Sequence, residues 1–312
     1  MSYKCKFLCL ITVRLTSKDS VMKPAKFEYL VPDDVEGVLD LLRTHSHDAK
    51  VLAGGQSLMP LLNMRLARPK VLVDINRIAG LDYISETNGG IISIGALTRQ
   101  RHIEKSPLVR DNLPVLSTAL ASVGHVQIRN RGTIGGSISH ADPAAEISAL
   151  CLALEAEFVL KSHSSERIMN PESFFLGQLT TALEPEELLT EIRLPSLSDG
   201  WGWGFQEVCR RRGDFALVGC VALIRLDDRG MCQDARISMF GAGETPVRMR
   251  EAETRMFGSP VDSSALDDVA RLVSEKLDPV SDIHASAAYR KQVGGAIARR
   301  SLEAATNQGK GA

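Results

Sequence analysis

The sequence predicts an α+β fold with a larger N-terminal part and a smaller C-terminal one, and three observations carry that expectation. From Phe27 to Leu194, short apolar runs of strand length alternate with helically spaced segments. Pro195 to Gly204 is rich in glycine, serine and proline and reads as a linker. After it, two strand-like runs, Ala216 to Leu226 and Ala235 to Gly241, precede helical stretches at 247–257, 263–276 and 284–305. The expected organisation is an extension at 1–21 outside the fold, a first domain at 22–199 with subdomains at about 22–78 and 79–199, and a C-terminal domain at 200–312.

In the extension, Phe7-Leu8-Cys9-Leu10-Ile11-Thr12-Val13 is a short apolar run between Lys6 and Arg14. It is at the minimum for a signal peptide and no small-x-small cleavage site follows, whereas Met22-Lys23-Pro24 reads as a natural start. Phe27 to Leu30 is extended. Pro32 to Arg43 is helical, with Val35, Val38, Leu39, Leu41 and Leu42 at helical spacing and Asp33 or Asp34 as cap. Val51 to Ala53 is a strand, Ser57 the N-cap of a short helix to Leu66, and Val71 to Ile75 a returning strand. The second subdomain opens on a strand at Ile91 to Gly95, followed by helices near Thr98 to Lys105 and from Leu113 to Val123. Asp142-Pro143 has the cap-then-proline pattern of a helix start, with Ile147, Leu150, Leu152 and Leu154 as its apolar face. Glu157 to Leu160 and Leu189 to Leu194 are further strands.

Two glycine pairs stand out: Val51-Leu52-Ala53-Gly54-Gly55-Gln56-Ser57 and Thr133-Ile134-Gly135-Gly136-Ser137. In each, an apolar run reads as a strand ending in residues without a Cβ, where consecutive backbone N–H groups can converge on an anion. Each pair alone reads more readily as a tight turn. Together they suggest a clamp on a pyrophosphate and hence a diphosphate nucleotide ligand. The usual nucleotide signatures are missing: there is no G-x-x-x-x-G-K-[ST], and Gly241-Ala242-Gly243 lacks the third glycine and meets Pro246 where a helix would start.

Composition narrows the partners. With 37 basic and 38 acidic side chains the net charge is -1, which gives no long-range attraction to nucleic acid or anionic membrane. No stretch reaches the roughly 18 apolar residues of a membrane span. Cys5, Cys9, Cys151, Cys209, Cys220 and Cys232 include no C-x-x-C pair, so neither a zinc ribbon nor an iron-sulfur cluster is indicated, and they read as free thiols of a cytoplasmic protein.

A longer string of motifs resembles one family: A-G-G-Q-S at 53–57, L-V-D-I-N at 72–76, I-G-A-L-T at 94–98, R-N-R-G-T-I-G-G-S at 129–137, A-D-P-A-A-E at 141–146, T-T-A-L at 180–183 and the Arg210 to Ala216 segment. In this order they resemble the FAD-binding medium subunits of the molybdenum hydroxylases, such as carbon monoxide dehydrogenase and xanthine dehydrogenase, from Met22 to about Arg300. The resemblance implies a two-subdomain FAD-binding fold of the vanillyl-alcohol-oxidase type plus a smaller α+β C-terminal domain. It also implies an oxidoreductase component that passes electrons from a small iron-sulfur subunit through FAD to an external acceptor, while a large molybdopterin subunit oxidises the substrate. The assembly is then a heterotrimer or a dimer of heterotrimers. A self-sufficient FAD-dependent oxidoreductase of the same fold and a non-catalytic flavin-binding scaffold are the alternatives.

Carried over by position, Val51, Leu52, Ala53, Gly54, Gly55, Gln56, Ser57 and Leu58 wrap the FAD pyrophosphate, with Leu58 near the isoalloxazine ring. Thr133, Ile134, Gly135, Gly136 and Ser137 close on it from the other side. Val123 and Leu189 line the cofactor. Glu146, where the family usually has aspartate, accepts from ribose or adenine, and Gln206 stands where some relatives place a lysine near the flavin. Gln56 occupies the position at which covalently linked flavoproteins have a histidine, so noncovalent FAD is expected.

Other residues read more plainly. Asp142 is a helix cap, His125 and His140 lack metal partners at ligand spacing, and Cys151 belongs to the core. Arg210-Arg211-Arg212 is either a solvated turn or part of a cofactor or partner surface, and Trp201 and Trp203 are either core or interface.

Overall fold

The computed structural model describes residues 22–87, 89–197 and 200–309, so the extension at 1–21 lies outside the described residues. In chain order the first elements are β1 (Glu28–Leu30), α1 (Val35–His45), β2 (Ala49–Leu52), α2 (Leu58–Asn63) and β3 (Val71–Asp74). The strands form a parallel sheet in the order β1-β3-β2. Its central strand is buried from Val71 to Val73, the near-continuous apolar run of a parallel strand covered on both faces. Asp34 caps α1 by accepting from the Gly37 N–H at 2.8 Å, and Val38, Leu39 and Leu42 bury its apolar stripe. Each such side chain contributes about 1.5–3 kcal/mol relative to exposure.

The second unit runs β4 (Ile84–Thr87), β5 (Ile91–Gly95), α3 (Gln100–Lys105), α4 (Pro107–Asn112), α5 (Pro114–Leu120), α6 (Val126–Arg131), α7 (Ile134–His140), α8 (Glu146–Ala153), β6 (Glu157–Lys161), β7 (Glu166–Met169), α9 (Pro171–Phe174), β8 (Phe175–Gly177), β9 (Thr180–Thr181) and β10 (Leu188–Pro195). Its main sheet has the order β4-β5-β10-β6-β7 with antiparallel neighbours. Ile92, Ile94, Phe158, Leu160 and Ile192 point into one core with no exposed surface. Every residue of α8 is buried, the expected state of a helix apolar on all sides.

The last unit contains β11 (Trp201–Cys209), β12 (Ala216–Leu226), β13 (Cys232–Phe240), β14 (Val247–Arg248), α10 (Arg250–Met256), α11 (Ser263–Lys276) and α12 (Ala287–Gly309), with the four strands in sequential order. The stretch read as a linker therefore ends β10 at Pro195 and begins β11 from Trp201 onward. Trp201-Gly202-Trp203-Gly204 alternates across β11, and the glycines face α12: a Cβ on Gly202 would lie 1.8 Å from the Ala305 carbonyl oxygen, and one on Gly204 1.9 Å from that of Ser301. The opposite face carries Trp201, Trp203 and Phe205 against the core of the second unit. Trp201 also lies beneath the guanidinium groups of Arg225 and Arg236, 5.5 and 4.7 Å from its ring centre.

Asp142-Pro143 does not start α8. The Pro143 carbonyl, which in that helix would accept from a residue of its second turn, accepts instead from the Gly241 N–H at 2.8 Å, and Asp142 Oδ1 accepts from the Ala144 N–H at 2.9 Å in a local turn. The helix begins three residues later, with Ala145 at the cap position.

Candidate functional site

The first glycine loop leaves β2 and enters α2. Gly55 has φ +74°, the left-handed region where a Cβ costs about 1–2 kcal/mol. Gly54 packs on the other glycine segment, since a Cβ there would lie 2.4 Å from the Arg131 carbonyl oxygen and 2.9 Å from Gly132 Cα. Gln56 folds back, its Nε2 donating to the Gly54 carbonyl at 3.1 Å. Ser57 occupies the position before α2 but makes no capping bond with its side chain, and α2 ends at Asn63 rather than Leu66. The N–H groups from Gly54 to Leu58 have no hydrogen-bond acceptor among the described residues. Beside them lies a cleft of about 530 Å³ lined by Leu52, Gln56, Met59, Asn63, Ile128 and Arg131. A run of unpaired donors facing a cleft fits a bound diphosphate.

The second glycine segment is built differently from the strand end expected. It is the first turn of α7, and its donors are already engaged. The Ile134 N–H donates to the Thr98 carbonyl at 3.1 Å, that of Gly135 to Ala96 at 2.9 Å, and that of Gly136 to the Thr133 hydroxyl at 3.1 Å. A Cβ on Gly135 would lie 2.5 Å from Ala96 Cβ, so this glycine allows α7 to press against the end of β5. One on Gly136 would lie 3.7 Å from Ala53 Cβ. The fold thus brings the two glycine pairs together, with the first supplying free donors and the second supplying close approach.

Glu146 opens α8 and is 6% exposed. Burial, with the carboxylates of Glu207 and Asp142 nearby, pushes its carboxyl up to about 8, so near neutral pH it holds a proton and has a donor as well as an acceptor to offer a ligand. Gln206 is exposed and pairs with Cys220, on the face of β11 that carries α12. It is its neighbour Glu207 that faces the second unit. Burial raises the Glu207 carboxyl above its ordinary value, and its Oε2 is buried without a hydrogen-bond partner. The sequence signal for this was the period-2 alternation of β11, obscured by the two glycines. Val123 is half-buried at the core edge, while Leu189 is 3% exposed and packs within the core.

Arg129, another residue that sequence reasoning passed over, is 7% exposed. It pairs with Glu104 at 2.8 Å and donates to the carbonyls of Val123 and Gly124, both at 3.0 Å, which fixes the turn before α6. His140 is held below its ordinary value by burial, and burial pushes the Cys151 thiol up to about 12. Among the described residues no group of three or more His, Cys, Asp or Glu side chains is placed to hold a metal, and no helix is long and apolar enough to cross a membrane.

Similarity to known proteins covers most of the chain. Residues 25–197 match the family described as the FAD binding domain in molybdopterin dehydrogenase, and residues 203–305 match the CO dehydrogenase flavoprotein C-terminal domain. The chain is 43% identical over 289 residues to the 6-hydroxypseudooxynicotine dehydrogenase complex subunit alpha of Paenarthrobacter nicotinovorans, covering 93% of this chain and 97% of that one. It is 36% identical over 284 residues to the carbon monoxide dehydrogenase medium chain of Hydrogenophaga pseudoflava, covering 91% and 98%. Among solved structures, the carbon monoxide dehydrogenase of Hydrogenophaga pseudoflava superposes with a TM-score of 0.89 at 37% identity, covering 91% of this chain and 99% of that one. Quinoline 2-oxidoreductase of Pseudomonas putida 86 superposes with 0.88 at 35%, covering 92% and 99%.

Proposed function

Because the chain belongs to the FAD-binding medium subunits of the molybdenum hydroxylases, we propose that its first glycine loop holds the FAD pyrophosphate and that the chain relays electrons between partner subunits and an external acceptor. Bound FAD supplies the redox chemistry, taking up electrons and passing them on. The chain's own residues bind and orient it. The observation that carries the reading is the run of unpaired N–H groups from Gly54 to Leu58 beside the cleft. The Thr133 to Ser137 turn closes that space through the close approach of Gly136 to Ala53. Val51, Leu52 and Leu58 border the loop, and Val123 and Leu189 line the cofactor. Protonated Glu146 donates to the cofactor, and Glu207 takes the place near the flavin that the sequence had suggested for Gln206.

The proposed partners are a large molybdopterin subunit and a small iron-sulfur subunit in a cytoplasmic heterotrimer or its dimer. Gln56 has an amide where a covalent link would need a nucleophilic ring nitrogen, so the flavin is held without a bond. The test is to purify the chain, record its visible spectrum and precipitate it with acid. A yellow protein that releases FAD into the supernatant is the expected result, and flavin retained in the pellet would refute noncovalent binding. Gly55→Val should abolish the yellow colour while the apoprotein keeps its circular dichroism, because a β-branched residue resists φ +74° and its side chain fills the approach to the loop.

A further inference from the structure

The loop's donors face the cleft because its carbonyls are held from behind. In a trans peptide the C=O and the following N–H point in opposite directions, so fixing the Ala53 carbonyl fixes the Gly54 N–H. Asn76, two residues beyond β3, does this: its Nδ2 donates to the Ala53 carbonyl at 2.8 Å and to that of Leu52 at 3.4 Å. The same amide lies 2.6 Å from Asp74 Oδ1, which also accepts from the Asn76 N–H at 2.8 Å. Asp74 in turn accepts from the Tyr29 hydroxyl. Burial opposes ionisation of Asp74, but these hydrogen bonds hold its carboxyl below the ordinary value.

The far side of the Asn76 amide meets Arg99. Arg99 Nη2 donates to Asn76 Oδ1 at 2.8 Å, and its Nη1 donates to the Arg131 carbonyl. That oxygen is the one against which Gly54 packs, one residue before Gly132 and the second glycine segment. Arg99 is tied to the segment through its backbone as well: the residues flanking it, Thr98 and Gln100, exchange hydrogen bonds with Ile134 and Gly132 at 3.1 and 2.9 Å.

We propose that Asn76 and Arg99 act as one clasp that joins the two glycine segments, turning the carbonyls of Ala53 and Arg131 away from the anion site so that the Gly54 to Leu58 donors face it. Both are positioning residues. The cation of Arg99 stands behind the loop, where it favours a bound anion without needing to touch it. The inference rests on the pyrophosphate reading of the loop and deepens it.

The experiment titrates FAD into the full apo chain, following the quenching of flavin fluorescence in the cold, with apoprotein melting recorded separately. Asn76→Ala and Arg99→Ala should each raise the FAD Kd about tenfold or more, the scale of a lost hydrogen bond to a charged group. Asn76→Asp, equal in shape but lacking the amide donors, should behave like Asn76→Ala and keeps the test open should Arg99→Ala fail to fold. The double alanine variant should exceed the worse single one by no more than about threefold, because residues of one unit are not additive. A purely architectural role would lower the apo melting temperature and leave the Kd of the folded protein unchanged. Wild-type Kd in Asn76→Ala or Asn76→Asp, or a full product of losses in the double variant, overturns the clasp. Gly55→Val separates the two ideas. If it alone loses FAD, the loop reading stands and the clasp falls; if it binds FAD like the wild type, the loop reading itself has failed.

Discussion

Glu146 is the residue whose environment changes its chemistry most. Unfolded, it titrates near 4.5; folded, burial moves it to about 8. At pH values below 4.5 both states hold the proton and nothing distinguishes them. Between the two values the folded state keeps a proton that the unfolded state has released, so the apoprotein loses stability as pH rises from about 4.5 to about 8, and no more above that. Glu146→Gln removes this dependence. Its apo melting temperature should match the wild type at pH 4.5 and exceed it at pH 8, with a gain on the order of a few kcal/mol. Equal melting temperatures at both pH values would show that the buried carboxyl is ionised. Glu146→Gln should also retain FAD affinity at neutral pH, since an amide donates as the protonated acid does, whereas Glu146→Ala should cost about 1 kcal/mol in FAD titration.

At the scale of elements, β11 and α12 depend on glycines that the sequence presents as punctuation. Gly204→Val places a branched side chain where a Cβ already lies 1.9 Å from the Ser301 carbonyl oxygen, so α12 must move off the sheet. The expected loss is at least the 1–3 kcal/mol of ordinary overpacking, read as a lower urea midpoint. Asp34→Ala removes the cap of α1 and should cost about 1 kcal/mol in the same assay. The contrast explains what was legible. α1 could be read because both its cap and its apolar stripe are local in sequence. Residues 133–137 and 142–146 were misread because their decisive partners are distant or hidden: Thr98 and Ala96 take the donors of α7, and the Gly241 N–H takes the carbonyl that α8 would have used. Tertiary hydrogen bonds override local start signals once the groups are buried.

For the whole molecule, the chain carries a flavin-binding apparatus and no cysteine arrangement suited to an iron-sulfur cluster. Dithionite should therefore bleach the flavin of the isolated holo chain, while aldehydes, purines and N-heterocycles offered anaerobically should not reduce it until the partner subunits are added. Reduction by any of these without partners would point to a self-sufficient oxidoreductase. Three of the four sheets among the described residues contribute to the candidate site. The parallel sheet and the β5 end of the second sheet assemble the glycine segments, and the last sheet packs Phe205 against Phe240, with ring centres 6.1 Å apart, and turns Glu207 toward Glu146.

The sequence alone determined the family and the strand-helix order from β1 to β3, and it singled out both glycine pairs, because motif identity and hydrophobic period are written along the chain. Only the tertiary structure decided which pair keeps free N–H groups, which of Gln206 and Glu207 faces the second unit, and that burial raises the Glu146 carboxyl. Hydrogen-bond supply, strand facing and desolvation belong to residues far apart in sequence, so their outcome exists only once the chain has brought Asn76 and Arg99 behind the first loop and Glu207 beside Glu146.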